Sequence, residues 1–219
     1  MLAAICLIVF AYLLGSIPSG YWITKLVAGV DIRTVGSGST GTTNVLRTAG
    51  KLPALIVLIA DIGKGYLPVF AAIYLELQNA GIPFATMHVL PPLCAIATIV
   101  GHSKSIFLNF KGGKSAATGL GTLLAMAPIP ALCILAIWIT VLAVSKIVSL
   151  ASITAGIATP IIMIVMGAPT SYTIYGALAG IFVIVRHKDN IGRLLKGIEP
   201  KIGQKLEQKT RDTKSGANI

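Results

Sequence analysis

Gly101–Thr118 reads GHSKSIFLNFKGGKSAAT. Apolar runs flank it, yet it holds His102, Lys104, Lys111 and Lys114 around the glycine pair Gly112–Gly113. Adjacent glycines let backbone N–H groups converge on an anion, and lysines add point charge. A cationic loop of this kind, pinned between hydrophobic segments, suits a phosphate or carboxylate at a membrane surface. Ordinary positive residues of a cytoplasmic loop are the alternative.

The 219 residues around this loop are 55% hydrophobic and only 11% charged, with mean hydropathy +0.85. A soluble domain carries roughly 25% charged residues, so the composition is that of a polytopic membrane protein. The net charge of +11 does not indicate nucleic acid, because on so apolar a chain the positive-inside rule accounts for it. Cys6, Cys94 and Cys133 lie in apolar runs without metal or disulfide spacing and are expected to be packing residues. No Lys or Arg precedes the first apolar run, so a cleaved signal peptide is not expected.

Working outward, the apolar segments fall at Leu2–Ile23, Pro53–Leu77, Pro83–Val100, Ser115–Ala127, Ala131–Ser145, Ser149–Gly167 and Ser171–Arg186. Gly15, Ser16, Pro18, Ser19 and Gly20 predict close packing or a bend in the lower half of the first. Ser115–Ala127 amounts to about 20 Å of helix against a ~30 Å hydrocarbon core, so it either crosses from a recessed loop or re-enters. Pro128 and Pro130 predict a turn before Ala131, and Asn190–Ile198 a short amphipathic piece. Charge sets the topology. The segment Thr24–Lys51 holds Lys25, Arg33, Arg47 and Lys51 against Asp31, and Gly101–Lys114 holds three lysines and no acid. Lys146 follows, and from Arg186 onward nine basic residues stand against four acidic ones. The connectors Gln78–Ile82, Pro128–Pro130 and Ala168–Thr170 are uncharged. The expected fold is therefore all-α integral membrane, with seven transmembrane helices, the N-terminus out and the C-terminus in. Residues 1–200 are expected to form one domain and 201–219 a flexible, basic cytoplasmic tail.

Four further stretches carry chemistry. Thr34–Arg47, TVGSGSTGTTNVLR, contains G-x-G-x-x-G at Gly36–Gly41, but no βαβ context surrounds it, which excludes a dinucleotide fold. Lys114 likewise lacks the glycine of a P-loop, since Leu108 holds that place. What remains is a hydroxyl-rich glycine turn ending in Asn44 and Arg47, whose forked guanidinium suits phosphate. Asp61 and Lys64, at i,i+3 within the second span, form a structural ion pair or belong to a site. Ser145, Ser149 and Ser152 predict a hydroxyl stripe on one helix face. In RHKDNIGRLLKGIE, from Arg186 to Glu199, a helix would set Arg186, Asn190 and Arg193 on one face with His187 over Asn190.

Together GSGSTGTTNVLR, GHSKSIFLNFKGGKSAAT and RHKDNIGRLLKGIEP, with DIGKG and VSLASIT, resemble the PlsY family, the bacterial acyl-phosphate:glycerol-3-phosphate acyltransferases. The resemblance runs from about Leu14 to Gly203. It implies seven membrane helices in the bacterial cell (inner) membrane, with the active site facing the cytoplasm. It implies transfer of a fatty acyl group from acyl-phosphate to the 1-hydroxyl of sn-glycerol 3-phosphate, giving lysophosphatidate and phosphate. It places phosphate-binding positions on Ser37, Arg47 and Lys114 with Ser152 nearby, and last-motif residues on His187 and Asn190. Asn44, His102 and Lys111 are further candidates for substrate binding, and Lys64 also sits in a motif. The first motif usually carries Asn where this chain has Ser39, an aromatic is common at Lys104, and the glycine closing KGGKG is Ser115.

Acyl-phosphate is already activated, so the expected chemistry is the holding of two anions while a hydroxyl meets a carbonyl. A conventional base is not implied, a substrate phosphate serving instead; base roles for His102 and His187 stay open. No cofactor and no metal are expected, seven scattered acids being too few for metal catalysis. The expected partners are the two substrates, membrane lipids and an acyl-phosphate-producing enzyme. The thioester-type motif H-x-x-x-x-D is absent, since Leu93, Phe107 and Gly192 occupy its last position after the three histidines. A small anion or organophosphate transporter is the rival from another class.

Overall fold

The computed structural model describes residues 1–78 and 88–204. The connector beyond Gln78, the start of the span expected at Pro83–Val100 and the tail beyond Gln204 lie outside the described residues. Among the described residues ten α-helices run in order: α1 (Leu2–Ser16), α2 (Ser19–Ala28), α3 (Thr42–Ala49), α4 (Lys51–Gln78), α5 (Leu90–Ser103), α6 (Ala116–Met126), α7 (Pro128–Ser145), α8 (Val148–Val165), α9 (Thr170–Arg186) and α10 (Lys188–Leu195). Four stretches are long and apolar enough to cross a membrane, namely Leu2–Ala28, α4, α7 and α8, while α5, α6 and α9 are shorter apolar helices. The chain is a multi-pass, all-α membrane protein.

Backbone proximity holds the bundle together. α1 packs on α5, α4 on α6, and α8 on both α7 and α9. At the α4–α6 crossing a Cβ on Gly65 would strike the Thr118 carbonyl, and one on Gly121 the Ile62 carbonyl. With lipid tails as apolar as leucine, such close backbone approach is how membrane helices gain packing energy. The buried core runs through Val69, Cys94, Leu123, Ala131, Met163 and Tyr175. The Tyr175 hydroxyl pairs with Thr122 at 2.5 Å.

Pro18 decides the shape of the first span. Lacking an N–H, it cannot continue the helical ladder, and α1 stops at Ser16. The expected bend is thus a full interruption. Its freed carbonyls are used, since Ile17 accepts Lys64 Nζ at 3.0 Å and Ser16 accepts Ser105 Oγ at 2.5 Å.

Three sequence expectations are corrected. Pro128 and Pro130 form no separate turn, because α7 begins at Pro128 and proline suits a first helical turn whose N–H groups lack partners anyway. The serine stripe is broken, since Lys146 turns left-handed (φ 60°) between α7 and α8. Ser145 caps its own helix end, accepting Ile147 N–H, and only Ser149 and Ser152 share α8. Arg186 does not share a face with Asn190 and Arg193, because the chain turns at His187 between α9 and α10.

Candidate active site

The polar segments meet around a cavity of about 490 Å³. Ser37, Asn44, Arg47, Asp61, His102, Lys114, Ser152, His187 and Asn190 all line it. Lys64 and Lys111 do not. Lys111 stands exposed on the outer side of its loop, so its expected contact with substrate is not supported by its position. Ser149, Arg193 and Glu199 add to the polar lining, and Leu120, Leu123, Ile134, Trp138, Ala155 and Val183 form an apolar wall.

Local sequence explains each placement. Gly36 and Gly38 take left-handed φ values of 57° and 67°, which turns the chain back on itself at little steric cost. Asn44, fully buried at the start of α3, then laces the turn. Its Nδ2 donates to the carbonyls of Ile32, Val35 and Ser39 at 3.0–3.2 Å, and its Oδ1 accepts Ser37 N–H at 3.1 Å. With its polar groups so engaged, Asn44 shapes the loop that presents Ser37. One α3 turn on, Arg47 reaches the Pro200 carbonyl at 3.4 Å. Burial lowers its pKa, and Arg193 adds to this while Glu199 opposes it.

The second loop is held from three sides. Ser115 adopts φ 61°, a left-handed backbone that glycine takes more readily. Hydrogen bonds hold it there, Ser115 Oγ donating to Ile99 O at 2.8 Å with Ser103 Oγ at 3.0 Å. Arg186 Nη2 donates to the carbonyls of Gly112 and Gly113 at 3.3 and 3.0 Å. Lys114 Nζ donates to Asn190 Oδ1. Burial pushes the Lys114 ammonium down to about 8, with Arg193 and Arg186 adding to the shift and Glu199 and Asp189 opposing it.

Glu199 is the residue that sequence reading did not single out. Its carboxylate accepts Asn190 Nδ2 at 2.5 Å, Arg193 Nε at 2.6 Å and Ser149 Oγ at 2.7 Å. Burial alone would raise its pKa, but these hydrogen bonds outweigh burial and hold it below the usual carboxylate range. The available signal was an acid at the close of a basic motif. Glu199→Ala takes the acceptor from Arg193 Nε and Asn190 Nδ2, and we expect a loss of turnover of about tenfold or more, because each unpaired buried polar group costs about 1–3 kcal/mol. Glu199→Gln, which keeps the shape, is expected to lose less. Steady-state rates of the two folded variants check the ranking.

His187 donates from Nδ1 to the Val183 carbonyl at 2.7 Å, which leaves Nε2 with its lone pair free. Burial holds its pKa down to about 4, with Lys114 and Arg186 adding to the shift, so the ring is neutral at pH 7. Asp61 and Lys64 pair at 2.8 Å, with side chains only 2% and 6% exposed. Ser19 Oγ donates to Asp61 Oδ1 at 2.5 Å, and His102 Nδ1 lies 3.8 Å from the same oxygen. This cluster ties α2, α4 and α5 together at the cavity wall, which Asp61 and His102 line. Trp138 Nε1 donates to Ser152 Oγ at 3.1 Å, fixing the boundary between polar mouth and apolar wall. Among the described residues no cluster of three His, Cys, Asp or Glu side chains is arranged to hold a metal.

Comparisons with known proteins bear on this cavity, which is lined by both cationic and apolar side chains. The family model described as glycerol-3-phosphate acyltransferase matches residues 5–197. A glycerol-3-phosphate acyltransferase of Rippkaea orientalis is 50% identical over 204 residues, 92% of this chain and 94% of that one. The enzyme of the same description from Trichormus variabilis is 50% identical over 216 residues, 94% of this chain and 95% of its own. Among solved structures, the glycerol 3-phosphate form of PlsY, an integral membrane glycerol 3-phosphate acyltransferase, superposes with TM-score 0.85 at 39% identity, covering 92% of this chain and 96% of that one. Its lysophosphatidic acid form gives 0.81 at 36% over the same shares. With the match spanning nearly the whole chain and the polar segments gathered at one cavity, the protein belongs to the PlsY family of glycerol-3-phosphate acyltransferases.

Proposed function

We propose that the protein transfers a fatty acyl group from acyl-phosphate to the 1-hydroxyl of sn-glycerol 3-phosphate, yielding 1-acyl-sn-glycerol 3-phosphate and phosphate for phospholipid synthesis. The observation that carries this reading is the convergence of Arg47, Lys114, His187 and Asn190, from three separate polar segments, on one cavity with an apolar wall. The cations suit two phosphate groups, and the apolar wall suits an acyl chain. A neighbour crystallised in glycerol 3-phosphate and lysophosphatidic acid forms supports the same acceptor and product.

The site works by positioning and electrostatics. The glycerol hydroxyl oxygen attacks the acyl carbonyl carbon, and the bond from that carbon to the phosphate oxygen breaks. Phosphate leaves with the electron pair. Arg47 and Lys114, with Ser37 and Ser152, stabilise the charge growing on phosphate, while His187 and Asn190 orient the glycerol end. A pKa near 4 makes His187 Nε2 a weak base. A phosphate oxygen, whose second pKa is about 6, is the better acceptor for the hydroxyl proton.

Seven crossings, N-terminus out and C-terminus in, fit the charge pattern, with the cavity facing the cytoplasm of a bacterial inner membrane and α6 crossing despite its shortness. Residues 1–200 act as one domain, and 201–219 form its basic tail. An acyl-phosphate-producing enzyme supplies the donor.

Phosphate release from palmitoyl-phosphate by the purified protein in detergent micelles is expected to depend on glycerol 3-phosphate. Absence of release, with glycerol 3-phosphate uptake into vesicles, would support a transporter instead. Acyl thioesters are expected not to substitute for the donor. Because Lys114 titrates near 8, it is charged on the acid side of that value and loses its charge above it. The KM for glycerol 3-phosphate should therefore rise as pH passes upward through about 8, and Lys114→Arg should flatten that rise.

A further inference from the structure

Between α5 and α6 the chain forms a small hairpin, closed by a bridge between Ser105 and Lys111 around a single 3₁₀ turn at Ile106–Leu108. Leu108 turns inward at 5% exposure, whereas Ile106, Phe107 and Phe110 project at 47%, 53% and 58%. Trp22 on α2, 51% exposed, lies with its ring 6.4 Å from that of Phe107. Leu26, one turn along the same helix, is 86% exposed. Around this aromatic wedge stand the exposed cations Lys25, Lys104 and Lys111, and neither α2 nor Gly101–Thr118 contains an acid.

Phe110 keeps a left-handed φ of 58°, which costs a side-chain-bearing residue roughly 1–2 kcal/mol relative to its ordinary conformation. Glycine would adopt it freely, so retaining a large ring there indicates that the ring has a task. Among the described residues Phe110 is left 58% exposed. Aromatic rings ringed by lysines are what a phospholipid interface of negative charge takes up, the rings at headgroup depth and the ammonium groups on the phosphates.

The hairpin base is tightly held. Tyr12 Oη donates to Lys104 O at 2.9 Å, Ser105 Oγ to Ser16 O at 2.5 Å, and Phe110 N to Ser105 O at 2.8 Å. Two residues after the bridge, Gly113 N donates to His102 O at 3.1 Å, and Lys114 follows. The hairpin and Lys114 thus share one short backbone segment, pinned at the His102 carbonyl.

We propose that Ile106, Phe107, Phe110 and Trp22, with Lys25 and Lys104, form a docking surface for anionic phospholipid, and that its seating keeps the Gly112–Lys114 loop in its binding geometry. The second half rests on the functional reading above; the first does not. The test uses the full-length protein in phosphatidylcholine vesicles with or without phosphatidylglycerol. The emission of Trp22, taken as the difference between wild type and Trp22→Phe, is read against lipids brominated near the headgroup and against aqueous iodide. Quenching by the brominated lipid and protection from iodide are expected. Turnover at saturating glycerol 3-phosphate is expected to be several-fold higher in the anionic vesicles. Lys25→Gln/Lys104→Gln should abolish that difference, and Phe107→Ser/Phe110→Ser should lower turnover about five- to tenfold in vesicles without changing the unfolding midpoint in detergent. Iodide access to Trp22 in both vesicles overturns the docking surface, and protection that appears only at high protein density assigns it to a second copy instead. Lipid quenching with normal turnover of the Phe pair variant overturns the coupling to the loop. No turnover in any preparation, with quenching intact, counts against the functional reading and leaves the docking surface supported.

Discussion

Lys114→Met is expected to lower the proposed acyl transfer by about 10²–10³-fold, the range seen when one preorganised donor to developing charge is removed from an active site. The substitution keeps the length of the side chain and removes its charge, so packing in the loop is preserved. Burial disfavours the charged form of Lys114, and an anionic ligand beside it would favour that form. Loss of the charge should therefore leave the unfolding midpoint nearly unchanged while turnover collapses. Steady-state kinetics beside thermal unfolding in detergent separate the two effects. Normal turnover in the folded variant contradicts the assignment of Lys114.

Asp61→Leu is expected to destabilise the protein by roughly 3–5 kcal/mol, because it strands a buried ammonium on Lys64. Lys64 keeps its bond to the Ile17 carbonyl, but one neutral acceptor does not replace a carboxylate at 2.8 Å. The double change Asp61→Leu/Lys64→Met removes both charges and should recover most of the loss, since apolar replacements of buried ion pairs are often near neutral. Chemical denaturation of the three proteins in one detergent measures the cycle. A double variant as unstable as the single one would mean that the pair is not the unit, and that Ser19 and His102 carry the cluster.

That pair illustrates how far sequence goes. Its i,i+3 spacing in an apolar run was readable, and so was its alternative as a structural pair. The partner of Lys64 across the bundle was not, because a carbonyl freed by Pro18 is visible only once α1 and α4 are packed. The gathering of Ser37, Arg47, Lys114, His187 and Asn190 was legible through charge and resemblance, and the cavity contains them all. Lys111 lies off the cavity, and a lysine beside Gly-Gly looks the same in sequence whichever side of the loop it occupies. Glu199 was passed over because a single acid in a basic stretch resembles a solvated charge. Its three hydrogen bonds come from Ser149 on α8 and from Asn190 and Arg193 on α10, contacts with no local signature. Pro128 and Pro130 were read as punctuation, yet proline opens a helix as readily as it ends one.

The most direct measurement is a double-mutant cycle on the KM for glycerol 3-phosphate, using Arg47→Ala, Lys114→Ala and the pair. If the two cations from separate loops clamp phosphates in one pocket, the losses couple by roughly 0.5–3 kcal/mol. Losses that add within about 0.3–0.5 kcal/mol would place the two residues at independent sites and contradict a shared anion pocket.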